Sequence, residues 1–316
     1  ELAANGLKLY LNIPQKEVHP GQLVTVCIKA VNRHVIFLGK QQFQIGVAYL
    51  NTPGNEKEML QCDGVTEKVQ QTMAEFSPKH CGIAQIDIEK VFLQDYLGLI
   101  GTQKNFRGSC RLAVLPEPVL STRIRTGMEK QQEYRYSTVA DDDSDILDLR
   151  AFRPGDNLNH IHWNLSLRTD DLIVRQYGEQ IDVKKVILVD LSILNTAQYR
   201  SRMDAVYTAV ASIANLYVEN EVNTLILAWN GQKQSAEYLE VHDRTELNRA
   251  MIRLMQIPCS SRAGEHAAAV YLKDIEAQGQ QALFVTAGSY ENNKVRIVNV
   301  EKIQLQELID ELWEKI

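Results

Sequence analysis

The chain has 316 residues, enough for two domains with separate cores, and its content of 45% hydrophobic and 23% charged residues is ordinary for a globular protein. Its net charge of −6, without a basic cluster, argues against a general nucleic-acid-binding protein. No apolar run reaches the roughly 18 residues that a membrane-spanning helix needs.

The first part of the chain alternates apolar and polar residues, which is the pattern of β-strands with one buried face. The alternation runs through Leu7–Ile13, Val24–Ala30 and Phe43–Tyr49, and further strands are predicted around Ile88 and Val114. Short strands separated by turn residues predict an antiparallel β-sandwich of immunoglobulin-like type. The pair of prolines at 116 and 118 ends it, because proline cannot continue a strand ladder, so the first predicted domain is 1–118.

Residues 119–182 are predicted to connect two domains. The acidic run at 141–145 is interpreted as a solvated loop, because it lacks the glycine and distal glutamate of a calcium-binding loop. The sequence Arg-Pro-Gly-Asp at 153–156 is turn chemistry, and nearby arginines offer forks that bind carboxylates at two points. Beyond this turn, a possible strand would place Ile161 and Trp163 on one face and His160 and His162 on the other.

From residue 183 the chain alternates buried strands and amphipathic helices. Strands are predicted at Val186–Val189, Leu225–Trp229, Ala282–Thr286 and Val295–Val300. Apolar residues at helical spacing predict helices between about 203 and 217, around 247–255, over 263–276 and over 305–316. This order predicts a doubly wound α/β domain at 183–316. The whole chain is therefore interpreted as an α+β protein of two domains.

Five cysteines are irregularly spaced, which favours free thiols in a reducing compartment. The sequence has no Cys-x-x-Cys pair, so it does not indicate a zinc site. One disulfide among the first four cysteines is an alternative that stays open. The cysteines are Cys27, Cys62, Cys81, Cys110 and Cys259.

Several of these residues together resemble one family, the bacterial domain-of-unknown-function 58 family. Its signature is an arginine, a Pro-Gly-Asp turn, an Ile-x-Trp pair and a second arginine, placed upstream of a von Willebrand factor A-like domain. The first half of the chain matches the family more loosely. The resemblance implies a structural role for the motif residues, which are Arg150, Arg153, Pro154, Gly155, Asp156, Ile161, His162, Trp163 and Arg168.

The resemblance also implies where a metal-ion-dependent adhesion site would lie. Asp190 and Ser192 follow the first α/β strand, where such a domain supplies an Asp-x-Ser-x-Ser run. Leu194 replaces the second serine, Ala287 replaces a later aspartate, and no threonine stands at the expected turn near 262–266. Hard cations need more oxygen ligands than these residues provide, so we expect the metal site to be degenerate and no cofactor to bind. Glu265 is the residue that could supply a substitute oxygen ligand.

Other catalytic signatures are missing from the sequence. It contains neither a Gly-x-Ser-x-Gly nucleophile elbow nor the glycine-rich motifs of nucleotide-binding proteins. We therefore predict a non-enzymatic interaction module. Two alternatives stay open: a metal-dependent hydrolase that uses His160 and His162, and a cation-dependent adhesion module.

The family resemblance further implies a partner, a MoxR-type AAA+ ATPase that assembles or matures other proteins. Membrane helices commonly precede this position in the family, so we expect the full-length protein at the cell membrane, with these domains on the cytoplasmic side. The partner would contact the rim at the strand ends, because recognition is usual on loops carried by a rigid scaffold. The predicted rim comprises Asn195, Thr196, Tyr199, Arg200, Ser260, Ser261 and Arg262.

Overall fold

The structure is a computed structural model, and two compact units make up the chain. One is formed by residues 1–123 and 184–316, the other by residues 124–183. The domain boundaries predicted at 118 and 182 stay a prediction. The described residues are 7–32, 38–50, 58–64, 69–95, 97, 99, 101–106, 108–122, 134–136, 146–169, 171–180, 184–192, 198–275, 282–288, 290, 295–301 and 303–315.

Two β-sheets form the N-terminal part of the first unit. The first sheet is antiparallel, in the order β1 (Leu7–Asn12), β3 (Val24–Asn32), β6 (Val69–Phe76). The second has the order β2 (Glu17–Val18), β9 (Ser109–Val114), β7 (Gly82–Asp95), β4 (Leu38–Tyr49), β5 (Glu58–Gly64), and β8 (Gly101–Lys104) also pairs with β7. Its pairs are antiparallel except β2 with β9.

These two sheets share one apolar core, to which the alternating residues contribute. Val26 and Ile28 of β3 are fully buried, as are Phe43 and Ile45 of β4 and Ile86 of β7. Successive side chains of a strand point to opposite faces, so this alternation places one face of each sheet against the other. The predicted strands are confirmed, and two sheets around one core are the arrangement of a β-sandwich. The finer immunoglobulin-like type stays a prediction.

The second unit is small, and its described residues form one three-stranded sheet and one short helix. The sheet has the order β10 (Tyr134–Tyr136), β12 (Ile173–Gln180), β11 (Ile146–Ala151), all antiparallel. Residues 158–160 form a 3-10 turn, and α1 spans Trp163–Thr169. The strand predicted through His160 and Trp163 is therefore wrong.

The remainder of the first unit, residues 184–316, is called the α/β region here. Its sheet has the order β15 (Ser235–Val241), β14 (Thr224–Asn230), β13 (Lys185–Val189), β16 (Ala282–Thr286), β17 (Arg296–Asn299). All neighbours are parallel except β15 with β14. The helices are α2 (Tyr199–Glu219), α3 (Arg244–Gln256), α4 (Ala263–Ile275) and α5 (Leu305–Glu314).

Helices cover both faces of this sheet. Ile187 and Val189 of β13 belong to a cluster with α2, α3 and α5, whereas Val186 and Leu188 belong to a cluster with α4. A strand covered on both faces has a continuous run of apolar residues, and this run predicts β13 from the sequence. In the described part of the chain, no helix combines the length and the hydropathy needed to span a bilayer.

A half-buried carboxylate joins the two N-terminal sheets to the α/β region within the first unit. Asp204 of α2 contacts the His80 ring with Oδ2 to Nδ1 at 2.7 Å, and its Oδ1 accepts the Cys81 N–H at 2.8 Å. The Cys81 and Ile83 side chains pack in the same apolar cluster as α2. The entry to β7 is thereby fixed against the start of α2.

Candidate functional site

The carboxyl ends of the parallel strands meet at one edge of the α/β sheet, where ligands bind in folds of this class. Four short segments form this edge, which we call the strand-end edge. They are 190–192 after β13, 230–233 after β14, 260–264 before α4 and 286–288 at the end of β16.

The Asp190 carboxylate, at the centre of this edge, is engaged by internal donors. Its Oδ2 accepts the Thr286 hydroxyl at 2.6 Å, and its Oδ1 accepts the Ser192 N–H at 3.0 Å. Ser192 Oγ in turn accepts the Gly264 N–H at 3.1 Å. The charge is therefore satisfied by hydrogen bonds that hold the ends of β13 and β16 and the start of α4 together.

Gly264 stands directly against this carboxylate. A Cβ atom added to Gly264 would lie 2.4 Å from Asp190 Oδ1 and 2.5 Å from its Cγ. Only glycine allows the main chain to come so close to the side chain. The first turn of α4 thus occupies the space in front of Asp190.

The resemblance implies that the metal site has lost ligands at 194 and 287, with Glu265 as a substitute donor. Leu194 lies outside the described residues, Ala287 is buried, and Glu265 is exposed in the first turn of α4. Among the described residues, no three His, Cys, Asp or Glu side chains come together as a possible metal site. Sequence reasoning missed the role of Thr286, although a threonine that ends a buried strand beside the sheet edge is a usable signal.

The predicted rim has to be corrected. Tyr199 is buried at 6% exposure, so it does not belong to an exposed rim. Arg200 is half-buried, with its guanidinium 5.8 Å from the centre of the Tyr49 ring, and its place on the rim stays a prediction. Asn195 and Thr196 lie outside the described residues. The amphipathic spacing of α2 continues to its first turn, and this draws Tyr199 inward.

The loop before α4 supplies the exposed part of the edge. Ser260 is half-buried, and it forms an isolated bridge with Ser192. Ser261 and Arg262 are exposed, and Arg262 has a φ of +60°, which is uncommon for a residue other than glycine. This conformation turns the chain into α4 and directs the loop outward.

Tyr199 and Cys259 lie together beneath the edge, and neither suits catalysis. Burial raises the pKa of the Tyr199 hydroxyl far above its ordinary value, and burial also raises the pKa of the Cys259 thiol. Both groups are uncharged at neutral pH. A thiol must become a thiolate to act as a nucleophile, so Cys259 is an inert core residue.

The Arg-Pro-Gly-Asp motif forms a closed turn in the second unit. Arg150 Nη1 and Nη2 each donate to one Asp156 oxygen at 2.7 Å, and the Arg153 N–H donates to Oδ2 at 2.7 Å. Gly155 has a φ of +109°, which favours glycine at this position. The Arg150 fork, assisted by the Arg153 N–H, lowers the pKa of Asp156 to about 2. The motif therefore fixes the connection between β11 and α1.

The two histidines do not share a strand face. His160 belongs to the 3-10 turn, whereas His162 directly precedes α1 and its Nδ1 accepts the Leu165 N–H at 3.3 Å. His162 thus caps the helix start with its ring, as a serine or aspartate usually does. Trp163 begins the helix and is 58% exposed, and Arg168 is exposed near its end. Ile161 alone of this group is buried, opposite Val174.

We expect Gly264→Ala to lower the free energy of unfolding by about 1–3 kcal/mol, because the new methyl group overpacks against a carboxylate that is held on both oxygens. Urea denaturation measures the loss. Gly108→Ala is the matched control, since a Cβ there meets no atom within 4 Å. Equal stability of the two variants would show that Asp190 is free to move.

The lowered pKa of Asp156 predicts a pH dependence. A carboxylate with a depressed pKa stabilises the fold fully above its ordinary value of about 4, and this contribution is lost as the pH falls toward 2. Asp156→Asn should therefore speed amide hydrogen exchange in residues 150–175 at neutral pH, with a difference from the wild type that shrinks between about pH 4 and 2. Asp171→Asn, at an exposed position, serves as the control. A difference that does not change with pH would contradict the charge-based role.

No curated protein matches this sequence. Solved structures with low similarity include the CARDB domain of a Pyrococcus furiosus protein in complex with di-metal ions (10% identity, 34% of this chain and 87% of that chain, TM-score 0.24). Another is a type II cohesin domain from the cellulosome of Acetivibrio cellulolyticus (13% identity, 34% and 94%, TM-score 0.25). Likenesses at this level carry no inference.

One family matches directly. Residues 148–294 match the family described as "Protein of unknown function DUF58". The matched residues include the Arg-Pro-Gly-Asp turn, α1 and the strand-end edge, which are the features that the sequence motifs had singled out. Residues 148–294, just under half of the chain, are therefore similar to this family.

Proposed function

We propose that this chain is a non-enzymatic interaction module that presents its strand-end edge to a protein partner. The observation that carries the proposal is the engagement of Asp190. Both of its oxygens accept internal hydrogen bonds, and Gly264 fills the space before it. A catalytic carboxylate or a metal ligand needs oxygens that can reach its substrate or ion, and both Asp190 oxygens already accept internal hydrogen bonds.

The finer fold that we propose for the α/β region is a von Willebrand factor A-like domain with a degenerate metal site. Its support is the parallel sheet covered by helices on both faces, with Asp190 and Ser192 directly after β13. Leu194 and Ala287 stand where this family of sites places a serine and an aspartate. An edge that has lost its cation still has a rim of loops for protein contacts.

The proposed partner is a MoxR-type AAA+ ATPase, and the proposed setting is the cytoplasmic side of the cell membrane. Both come from the family resemblance. The exposed Ser261 and Arg262 are the described rim residues best suited to such a contact. Arg200, which lies over the Tyr49 ring, is left out of the proposed contact surface.

Two other functions find less support. A hydrolase that uses His160 and His162 would need both rings on one metal, yet they belong to different elements and His162 Nδ1 already accepts the Leu165 N–H. A cation-dependent adhesion module would need Asp190 to exchange its hydrogen bonds for an ion. Both alternatives share a dependence on metal, so metal binding separates them from the interaction module.

Metal titration is the first test. We expect isothermal calorimetry with Mg²⁺ or Mn²⁺ to show no saturable site, because an ion at Asp190 would have to displace the Thr286 hydroxyl and the Ser192 N–H. Asp190→Ala is the matched comparison. Saturable sub-millimolar binding that disappears in Asp190→Ala would overturn the degenerate site. Binding that disappears only when His160 and His162 are replaced would favour the hydrolase.

Partner capture is the second test. Arg262→Glu should weaken co-purification of the whole chain with the ATPase and leave the melting curve unchanged, because the side chain is exposed. Arg249→Glu, an exposed arginine on α3, controls for a general charge effect. If both variants retain the ATPase equally well, the strand-end edge is not its contact surface.

A further inference from the structure

The short helix α1 exposes two large apolar side chains and buries a polar one. Trp163 is 58% exposed and Leu167 is 79% exposed, whereas the residue buried between them is Ser166. Residues four apart lie on the same side of a helix, so Trp163 and Leu167 form one apolar column. A helix that only completed a core would bury this column and expose the serine.

Polar contacts hold the inner side of α1 in place. Ser166 Oγ accepts the Ile173 N–H of β12 at 2.9 Å, and the His162 N–H donates to the Ile173 carbonyl at 2.8 Å. These bonds use the side chain and main chain that face the sheet. The outward orientation of Trp163 is thus built into the unit by hydrogen bonds that would break if the helix turned over.

Arginines accompany this apolar column. Asn164 and Arg168, again four apart, lie beside Trp163 and Leu167, and Arg153 is exposed in the preceding turn. Arg168 forms no ion pair with any described residue, the exposed Asp171 included, whereas the charge of Arg153 helps to lower the pKa of Asp156. Tryptophan and arginine are the residue types most enriched among the side chains that dominate protein–protein binding. We call Trp163, Asn164, Leu167 and Arg168 the α1 outer face.

We propose that the α1 outer face is a docking surface for an acidic amphipathic segment of another protein. Apolar side chains of that segment cover Trp163 and Leu167, and its carboxylates pair with Arg168 and Arg153. The positive charges of Arg168 and Arg153 select an acidic partner over a basic one. This surface is separate from the strand-end edge and does not depend on the partner proposed there.

Other occupants fit less well. An extended anionic bilayer would face the whole second unit, in which acidic residues outnumber basic ones, whereas a narrow segment senses only charges within a screening length of roughly 8 Å. A second copy docked about a two-fold axis would bring the same patch against itself, which sets arginine against arginine. A narrow acidic segment avoids both repulsions.

The test uses the whole chain and two synthetic peptides. One is helical with leucine on one face and glutamate on the other, and the second has lysine in place of each glutamate. We expect the acidic peptide to bind saturably by fluorescence anisotropy and the basic peptide not to bind. Trp163→Ala and Arg168→Glu should each weaken acidic-peptide binding at least about tenfold, while circular dichroism stays unchanged because both side chains are exposed.

A matched pair of leucines provides the control. Leu167→Ala should weaken the acidic peptide, and Leu97→Ala, at a site of similar exposure in the first unit, should not. The proposal is overturned if the acidic peptide fails to bind, or if the two peptides bind equally. It is also overturned if Trp163→Ala abolishes binding to phosphatidylglycerol vesicles or self-association of the chain and leaves the acidic peptide unaffected.

Discussion

The carboxylate of Asp204 is the polar contact through which the strand β7 is joined to the α/β region of the first unit. Removing a carboxylate from water is unfavourable, and burial accordingly raises the pKa of Asp204 despite the opposing hydrogen bonds from His80 and from the Cys81 N–H. Those two partners come from the turn that leads into β7. These contacts fix β7, the longest strand of the N-terminal sheets, to α2. In turn, α2 packs directly on β13, the central strand of the α/β sheet.

The strand-end edge depends on the same rigid frame. The ends of β13 and β16 bring Asp190 and Thr286 to hydrogen-bonding distance. The Thr286 hydroxyl and the Ser192 N–H both donate to this half-buried carboxylate. The result is an edge whose centre is internally saturated and whose outer loop, at Ser261 and Arg262, faces the solvent.

Sequence reasoning succeeded where periodicity reflects burial and failed where local polar contacts decide. Alternation revealed β3 and β4, and the continuous apolar run revealed β13. The hairpin strand β15 was missed, because Asn230-Gly231 reads as the end of a strand, whereas the Asn230 side chain accepts the Gln232 and Lys233 N–H groups and turns the chain back. The apolar pattern predicts a strand at Trp163, where the structure has a helix. The His162 cap and the Ser166 contact that hold this helix cannot be seen in a pattern of apolar residues.

The contact between Gly264 and Asp190 has a consequence for how such chains can diverge. Any side chain at 264 collides with the carboxylate at 190, so the two positions are not free to change independently. Substitution at 264 is tolerated only after residue 190 has become smaller or has moved, and the reverse order passes through a clash. The two positions are therefore coupled by packing alone, and the order in which they change is restricted by the space between them.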